Sequence, residues 1–166
     1  MDLEERVADL ERRIAALEGA GPAAPAVTDG DFWALDGLKA QLAGLGAEDG
    51  GVLFTGAVRL PTGERYDWQY GQVTGDVLDA DPAVAAESFA ALGHPVRLRL
   101  LREILGGRRT AAELAALDGI GTTGQIYHHL RQLTAAGWLQ TTGRGRHEVP
   151  AGRVVPLLVA LSAVTP

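Results

Sequence analysis

Three of the four histidines of this 166-residue chain lie in one stretch, GTTGQIYHHLRQLTAAGWLQTTGRGRHEVP, which runs from Gly121 to Pro150. They are His128, His129 and His147. Imidazoles can bind a metal ion, transfer protons in catalysis or contact the phosphates of a nucleic acid. The same stretch carries the basic, glycine-punctuated sequence GRGR, which favours contact with a polyanion.

The available ligand types argue against a metal site. The chain has no cysteine, so thiolate ligands, disulfides and cysteine nucleophiles are all excluded. His128 and His129 are neighbours, and neighbouring side chains on a helix point about 100 degrees apart, whereas a two-histidine metal face needs a spacing of about four residues. We therefore predict neither a metal nor another cofactor.

No arrangement of residues indicates catalysis. The chain shows no serine, histidine and aspartate set with supporting context. The sequence GRRTAAEL, residues 107–114, lacks the strand and the Gly-Lys pattern of a phosphate-binding loop. His94 is expected to cap or pack at a helix start. We therefore predict that the protein is not an enzyme.

The charges are unevenly distributed along the chain. Residues 1–87 carry 17 acidic against 6 basic residues, and residues 88–166 carry 9 arginines against 4 acidic residues. This asymmetry predicts that only the second half meets a polyanion. The chain has no long apolar run and begins with charged residues, so we expect a cytoplasmic protein without a membrane span or signal peptide.

The elements that must position the histidine-rich stretch form a helix-turn-helix pattern within residues 81–166. Asp81 and Pro82 are typical of a helix start, and Thr110, three residues before Glu113, predicts a capping box. After a glycine-bearing break, a second helix over 122–136 has a buried stripe. The stripe consists of Ile126, Leu130 and Leu133. Two short strands, WLQTT and RHEVP, then flank a basic tip, which makes the motif winged.

At this point the chain resembles the ArsR-like winged helix-turn-helix repressors. The resemblance rests on ALGHPVRLRLLREI (Ala91–Ile104), TAAELAAL (Thr110–Leu117), IYHHLRQLTAAGWL (Ile126–Leu139) and the wing GRGRHEV (Gly143–Val149). It covers roughly the last half of the chain. It implies a dimer that binds operator DNA with its second helix in the major groove.

The resemblance does not extend to metal sensing. ArsR-like metal sensors bind their metal through cysteines on the first helix of the motif, or through histidines and carboxylates on the last helix. TAAELAAL has no cysteine or histidine, and RVVPLLVALSAV has no histidine, aspartate or glutamate. We therefore expect a regulator that does not sense metals.

The candidate DNA-binding residues lie on the second helix and the wing. On the helix they are Thr122, Thr123, Gln125, Tyr127, His128 and Arg131, because these project away from the buried stripe. On the wing they are Arg144, Arg146 and His147. Glutamine can read adenine through two hydrogen bonds, and threonine can contact a thymine methyl group or a phosphate. His129 could equally be a partly buried, hydrogen-bonded residue of the helix.

The first segment, residues 1–18, has a heptad seam typical of a parallel two-stranded coiled coil. The seam consists of Leu3, Val7, Leu10, Ile14 and Leu17. Its alternative is a lone amphipathic helix that packs on its own domain. Residues 19–30, GAGPAAPAVTDG, read as a linker.

Residues 31–80 predict a helix followed by a β-hairpin. Six of the nine aromatic residues lie between Phe32 and Tyr70, so the hairpin has an aromatic face that something must cover. The cover is either the 31–45 helix or a partner subunit, or else the face forms a ligand pocket with Arg59, Arg65 and Asp67 as its polar groups. The candidate ligand-binding residues are Trp33, Phe54, Arg59, Arg65, Tyr66, Trp68 and Tyr70.

These patterns together predict a mainly α fold with a small amount of β structure (α+β). Its winged helix-turn-helix is preceded by a coiled-coil helix, a helix and a β-hairpin. The first functional hypothesis is a homodimeric, sequence-specific DNA-binding repressor that responds to a small organic ligand through residues 31–75. A second hypothesis keeps DNA binding without a ligand. A third is a winged protein-interaction module that binds a sigma factor or another regulator.

Overall fold

The computed structural model describes residues 6–7 and 32–164. Arg6 and Val7 are helical. The other residues of the predicted coiled coil, and the whole predicted linker, lie outside the described residues, so both remain predictions. The chain divides into two compact units, Met1–Gly37 and Leu38–Pro166. The hairpin and the helix-turn-helix both belong to the second unit.

The described helices and strands follow the predicted order. They are α1 (Trp33–Leu45), β1 (Gly51–Arg59), β2 (Arg65–Val73), α2 (Thr74–Asp79), α3 (Pro82–Leu92), α4 (Pro95–Leu105), α5 (Ala111–Ala115), α6 (Thr123–Ala135), β3 (Gln140–Thr142), β4 (Arg146–Glu148) and α7 (Ala151–Ala163). This confirms the mainly α fold with small β-sheets. The short helix α2 was not predicted. Among the described helices, none has both the length and the apolar character needed to cross a membrane.

Local capping explains where the helices of the motif begin. The N–H of Ala83 donates to Asp81 Oδ1 at 2.9 Å, and Pro82 occupies the first turn of α3. At α5 the predicted capping box is present, because Thr110 and Glu113 each bond the backbone of the other. Such caps satisfy backbone donors that the first helical turn leaves free. These caps therefore fix where α3 and α5 begin.

The core lies between α4, α5, α6 and α7. Its fully buried side chains are Leu100, Leu101, Ile104, Leu114, Ile126, Leu130, Leu133, Val154, Val155 and Leu157. The predicted stripe of α6 is thus confirmed. Because this stripe is buried, the opposite side of α6 must face outwards.

The hairpin packs on α7. Its strands pair antiparallel, with Gly56 opposite Trp68. A Cβ atom on Gly56 would lie 2.6 Å from Val155 Cγ1, and one on Gly152 would lie 3.4 Å from Trp68 Cη2. Close approach at these two glycines therefore lets α7 cover part of the aromatic face. Sequence reasoning had offered α1 or a partner subunit for this role.

Pro156 lies in the second turn of α7. It is the sixth residue of the helix Ala151–Ala163. A proline there has no N–H to donate to the preceding turn. The helix nevertheless continues to Ala163.

Candidate nucleic-acid interface

A second capping box sets the start of the recognition helix α6. The side chain of Thr122 accepts from the N–H of Gln125, and Gln125 Oε1 accepts from the N–H of Thr122 at 2.8 Å. Gly121 has a φ of 105°, and a Cβ atom there would lie 2.6 Å from Gln125 Oε1. Glycine at this position therefore provides both the backbone conformation and the space that the box needs.

This box gives Gln125 a role that differs from the predicted one. Its Oε1 also accepts from the Thr122 hydroxyl at 3.2 Å, so both of its lone-pair directions are occupied. Reading adenine through two hydrogen bonds would require the same oxygen. The structure therefore places Gln125 and Thr122 at the helix cap, and neither side chain is fully free for a base.

An exposed ridge remains on α6. Its members are Thr123, Tyr127, His128 and Arg131, all exposed. Residues three and four apart lie on the same side of a helix, so this ridge runs opposite the buried stripe. Within the described residues, Arg131 takes part in no salt bridge. The ridge thus presents an aromatic ring, an imidazole and an unpaired cation on one rigid surface.

The wing presents two further arginines. Arg144 and Arg146 are exposed, and neither forms a salt bridge within the described residues. Arg144 has a φ of 67° and is followed by Gly145 with a φ of 68°, so the tip turns through the left-handed region. This tight turn holds Arg144 at the end of the β3–β4 hairpin, which is paired from Gln140 opposite Glu148 to Thr142 opposite Arg146.

His147 is less accessible than the two arginines of the wing. The residue is half-buried, and its Nδ1 is buried without a hydrogen-bond partner. Burial lowers the pKa of His147 below its ordinary value of 6.5, which favours the neutral ring. A neutral, half-buried imidazole is a poor phosphate ligand, so the structure argues against this predicted contact.

His129 is the partly buried residue that the sequence allowed. Its ring lies 4.7 Å from the ring of His94, centroid to centroid, at an angle of 43°. His94 in turn caps α4, since its Nδ1 accepts from the N–H of Val96 at 3.2 Å. Burial is the main cause that lowers the pKa of His129, and nearby His94 and Arg97 lower it further. The pair therefore connects the start of α4 to the middle of α6.

These buried imidazoles should make stability depend on pH. The unfolded chain binds protons at His129 and His147 below about pH 6.5, whereas the folded chain binds them only at lower pH. Their contribution to the free energy of unfolding is therefore complete above pH 6.5 and falls as the pH decreases through that value. Urea unfolding at pH 7, 6 and 5 measures this loss.

Replacing both rings by glutamine should flatten the dependence between pH 7 and pH 5. The lowered pKa values of Glu64 and Glu113 contribute mainly below about pH 4.5, because stability from such carboxylates is lost as they become protonated. Measurements between pH 7 and pH 5 therefore separate the effect of the two histidines from that of the two carboxylates. An unchanged slope in the double variant H129Q/H147Q would show that other groups cause it.

The residues predicted to bind a ligand on the hairpin do not form one pocket. Phe54 and Tyr70 face each other across the strands, with ring centroids 5.8 Å apart. Tyr66 and Trp68 share that face by the strand alternation. Arg59 lies opposite Arg65 in the register, and both arginines, like Asp67, alternate with the aromatic residues and occupy the other face. Trp33 belongs to the unit of residues 1–37 and is 70% exposed.

A small cavity lies instead at the junction of the hairpin and the wing. Its volume is about 110 Å³. Its polar lining comes from Tyr66, Arg109, Gln140 and Glu148, and its apolar wall includes Leu60 and Val154. Burial, followed by the charge of Glu64, raises the pKa of Tyr66. Of the predicted ligand-binding residues, Tyr66 is the one that lines this cavity.

Sequence reasoning missed the pair that connects hairpin and wing, Glu64 and Arg109. The two residues form a salt bridge although 45 positions separate them. Apart from their opposite charges, nothing in the sequence indicates this pairing, because no local spacing connects the two residues. Gln125 is different, because Thr122 three residues before it has the same spacing as Thr110 and Glu113. That signal for a capping box was present in the sequence.

Metal ligands do not converge in this region. Among the described residues, no three histidine, aspartate or glutamate side chains are placed to hold a metal ion. The candidate interface instead consists of a capped helix with an exposed ridge and of a wing with two exposed arginines. These features match what helix-turn-helix proteins present to a DNA duplex.

Comparisons with known proteins agree with this geometry. A family model described as "Helix-turn-helix domain" matches residues 92–138, which run from the end of α3 through α6. The chain is also 35% identical over 89 residues to a "Probable mercury resistance operon repressor" of Streptomyces lividans, and the alignment covers 52% of this chain and 70% of the relative. No solved structure matches the chain. The chain therefore belongs to the ArsR-like family of DNA-binding helix-turn-helix regulators of transcription.

Proposed function

We propose that the protein is a homodimeric repressor that binds a specific operator, with α6 in the major groove and the wing against the adjacent backbone. The ridge on α6 carries this proposal, because Tyr127, His128 and Arg131 are exposed above a wholly buried stripe. Side chains at base edges confer specificity, and cations at phosphates confer affinity. The relative's name describes it as a repressor, and this supports the same outcome here.

The homodimer is supported by α3. This helix of 11 residues carries a single charged side chain, Glu87, yet only Ala91 and Leu92 are buried. Val84 and Phe89 are 68% and 67% exposed. An apolar helix with so much uncovered surface favours contact with a second copy, and two copies would place two recognition helices on a palindromic site. The predicted heptad seam of residues 1–18 would add to this contact.

The proposed effector is a small organic molecule rather than a metal. The relative's name connects it with mercury, but mercury is a soft ion that prefers thiolate ligands, and this chain has no cysteine. The cavity of about 110 Å³ beside Tyr66 and Arg109 combines several polar groups with an apolar wall, and polar groups of this kind can orient a small ligand. Its size suits a molecule no larger than a single ring.

A titration of the full-length protein into labelled DNA from upstream of its own gene tests the proposal. We expect binding with a 2:1 protein-to-duplex ratio, and a preference over scrambled DNA of about 1000-fold or more. Adding Hg²⁺ should leave the affinity unchanged. A panel of small aromatic and alicyclic compounds should contain one that weakens binding and raises Tm.

The alternatives predict different results. A panel without any such compound would favour a DNA-binding protein that has no effector. Binding that never distinguishes the upstream DNA from scrambled DNA, together with one stoichiometric protein partner, would favour the protein-interaction module. A monomer on a single half-site would contradict the dimer.

A further inference from the structure

The turn of the β1–β2 hairpin, residues 60–64, packs against the loop that leads into α5. Leu60 is 7% exposed and belongs to the core cluster of the helix-turn-helix. A Cβ atom on Gly107 would lie 3.0 Å from Thr62 Cγ2, so the two segments are in close contact. Gly107 also has a φ of 106°, which disfavours any larger residue there. The hairpin turn is therefore an integral part of this surface.

A salt bridge stabilises this contact between the hairpin turn and the loop before α5. Arg109 Nη2 donates to Glu64 Oε2 at 2.5 Å, and their side chains are 17% and 38% exposed. The Thr62 hydroxyl donates to the same oxygen at 2.9 Å, which orients the carboxylate. The hydrogen bond from Arg109 is the main cause that lowers the pKa of Glu64. The pair is thus ionised at neutral pH.

Arg109 also belongs to the base of the wing. Its carbonyl oxygen accepts the N–H of His147 at 2.7 Å. The next residue, Thr110, forms an antiparallel bridge with Arg146. One residue therefore contacts the hairpin turn with its side chain and the wing strand β4 with its backbone. A change at Glu64 should therefore reach β4 through Arg109.

We infer that Glu64 is a positioning residue for the DNA-binding wing. By holding Arg109, it keeps the segment beside β4 in place and so limits the orientations of the tip that carries Arg144 and Arg146. A wing that is already ordered loses less conformational freedom when it binds DNA. The inference rests on the proposed contact between wing and DNA. It assigns to the hairpin, which precedes the helix-turn-helix in the chain, an indirect part in DNA affinity.

The variant Glu64→Gln tests this inference, because simple electrostatics predicts the opposite result. Removing a negative charge should strengthen binding to a polyanion. The positioning role predicts instead that affinity falls about three- to tenfold, the usual size of coupling between contacting residues. Glu48→Gln removes the same charge from an exposed site, and it should bind as wild type or slightly tighter. Glu64→Asp keeps the charge with a shorter reach and should give an intermediate loss.

A double-mutant cycle identifies the route of the effect. If Glu64 acts through the wing, Glu64→Gln should change affinity less than about 1.5-fold when Arg144 and Arg146 are already alanine. The reversed pair Glu64→Arg with Arg109→Glu should recover part of the loss. An equal loss in both backgrounds, or unchanged or tighter binding by Glu64→Gln, would overturn the inference.

Hydrogen exchange tests the same inference without DNA. The amide of His147 should exchange about three- to tenfold faster in Glu64→Gln than in wild type, because the loss of the carboxylate charge weakens the contact that helps to hold Arg109. The amides in the centre of α6 should keep their protection. An unchanged rate at His147 would contradict the positioning role. If DNA binding itself fails but exchange rises as expected, the proposed function is wrong and the structural connection stands.

Discussion

Replacing Arg144 and Arg146 together by alanine is expected to lower DNA affinity about 10- to 100-fold at 0.1 M salt, for specific and unrelated DNA alike. Both side chains are exposed, and neither forms a salt bridge among the described residues. Their charges are therefore available to phosphates, and each contact releases counterions from the duplex. Binding isotherms at several salt concentrations measure the effect.

The salt dependence is the sharper part of this prediction. The slope of log K against log salt should become shallower by about 1.8, since each phosphate contact contributes about 0.9. The matched control, Lys39→Ala with Arg102→Ala, removes the same charge from α1 and α4 and should alter the slope by well under one. An unchanged slope in the wing variant would show that the wing does not contact the backbone.

Replacing His128 and Arg131 together by alanine should abolish most of the sequence preference. These side chains lie on the exposed ridge of α6, and a good contact to a base edge contributes about 1–3 kcal/mol of discrimination. We therefore expect affinity for the operator to fall about 30-fold or more, while affinity for scrambled DNA falls only a few-fold. Parallel titrations with both duplexes measure the ratio.

The stability of this variant should stay close to wild type, because neither side chain contributes to the buried stripe. Thr134→Ala, near the end of the same helix, is a suitable control and should keep the preference. Its hydroxyl donates to the Leu130 carbonyl at 2.9 Å, so it tests helix integrity rather than recognition. If the ratio of operator to scrambled affinity is unchanged in the double variant, α6 is not the element that reads sequence.

The two variants separate affinity from specificity. Loss of the wing arginines should weaken all complexes by a similar factor, whereas loss of the ridge should weaken mainly the specific one. The positioning role inferred for Glu64 should resemble the wing variant in this respect. A loss of specificity in Glu64→Gln would therefore point to α6 rather than to the wing.

Much of the DNA-binding half could be predicted from local patterns. The box of Thr110 and Glu113, the proline after Asp81 and the spacing of Ile126, Leu130 and Leu133 involve residues within seven positions of one another. Backbone donors at helix starts and the 3.6-residue repeat impose strong rules at that range. Because the helical repeat predicts which side of α6 is buried, it also predicts which side is exposed.

The same local range also gives two side chains a second role, at the cap of α6. Thr122 and Gln125 have the spacing of a capping box, yet the exposed phase of Gln125 suggested a base contact. A side chain can be exposed and still be committed to its own backbone. Only the hydrogen bonds of the folded helix distinguish these two roles.

By itself, the sequence determined the order of the elements, the buried stripe of α6, the basic tip of the wing and the absence of thiolate ligands. Only the tertiary structure decided that α7 covers part of the aromatic hairpin face, that the strand register pairs Phe54 with Tyr70 and Arg59 with Arg65, and that Glu64 contacts Arg109. Helix caps and periodicity arise between residues a few positions apart, so they can be read along the chain. Packing of a hairpin on a helix nearly 100 residues later depends on shape and on close approach at glycines such as Gly56, which no local pattern encodes.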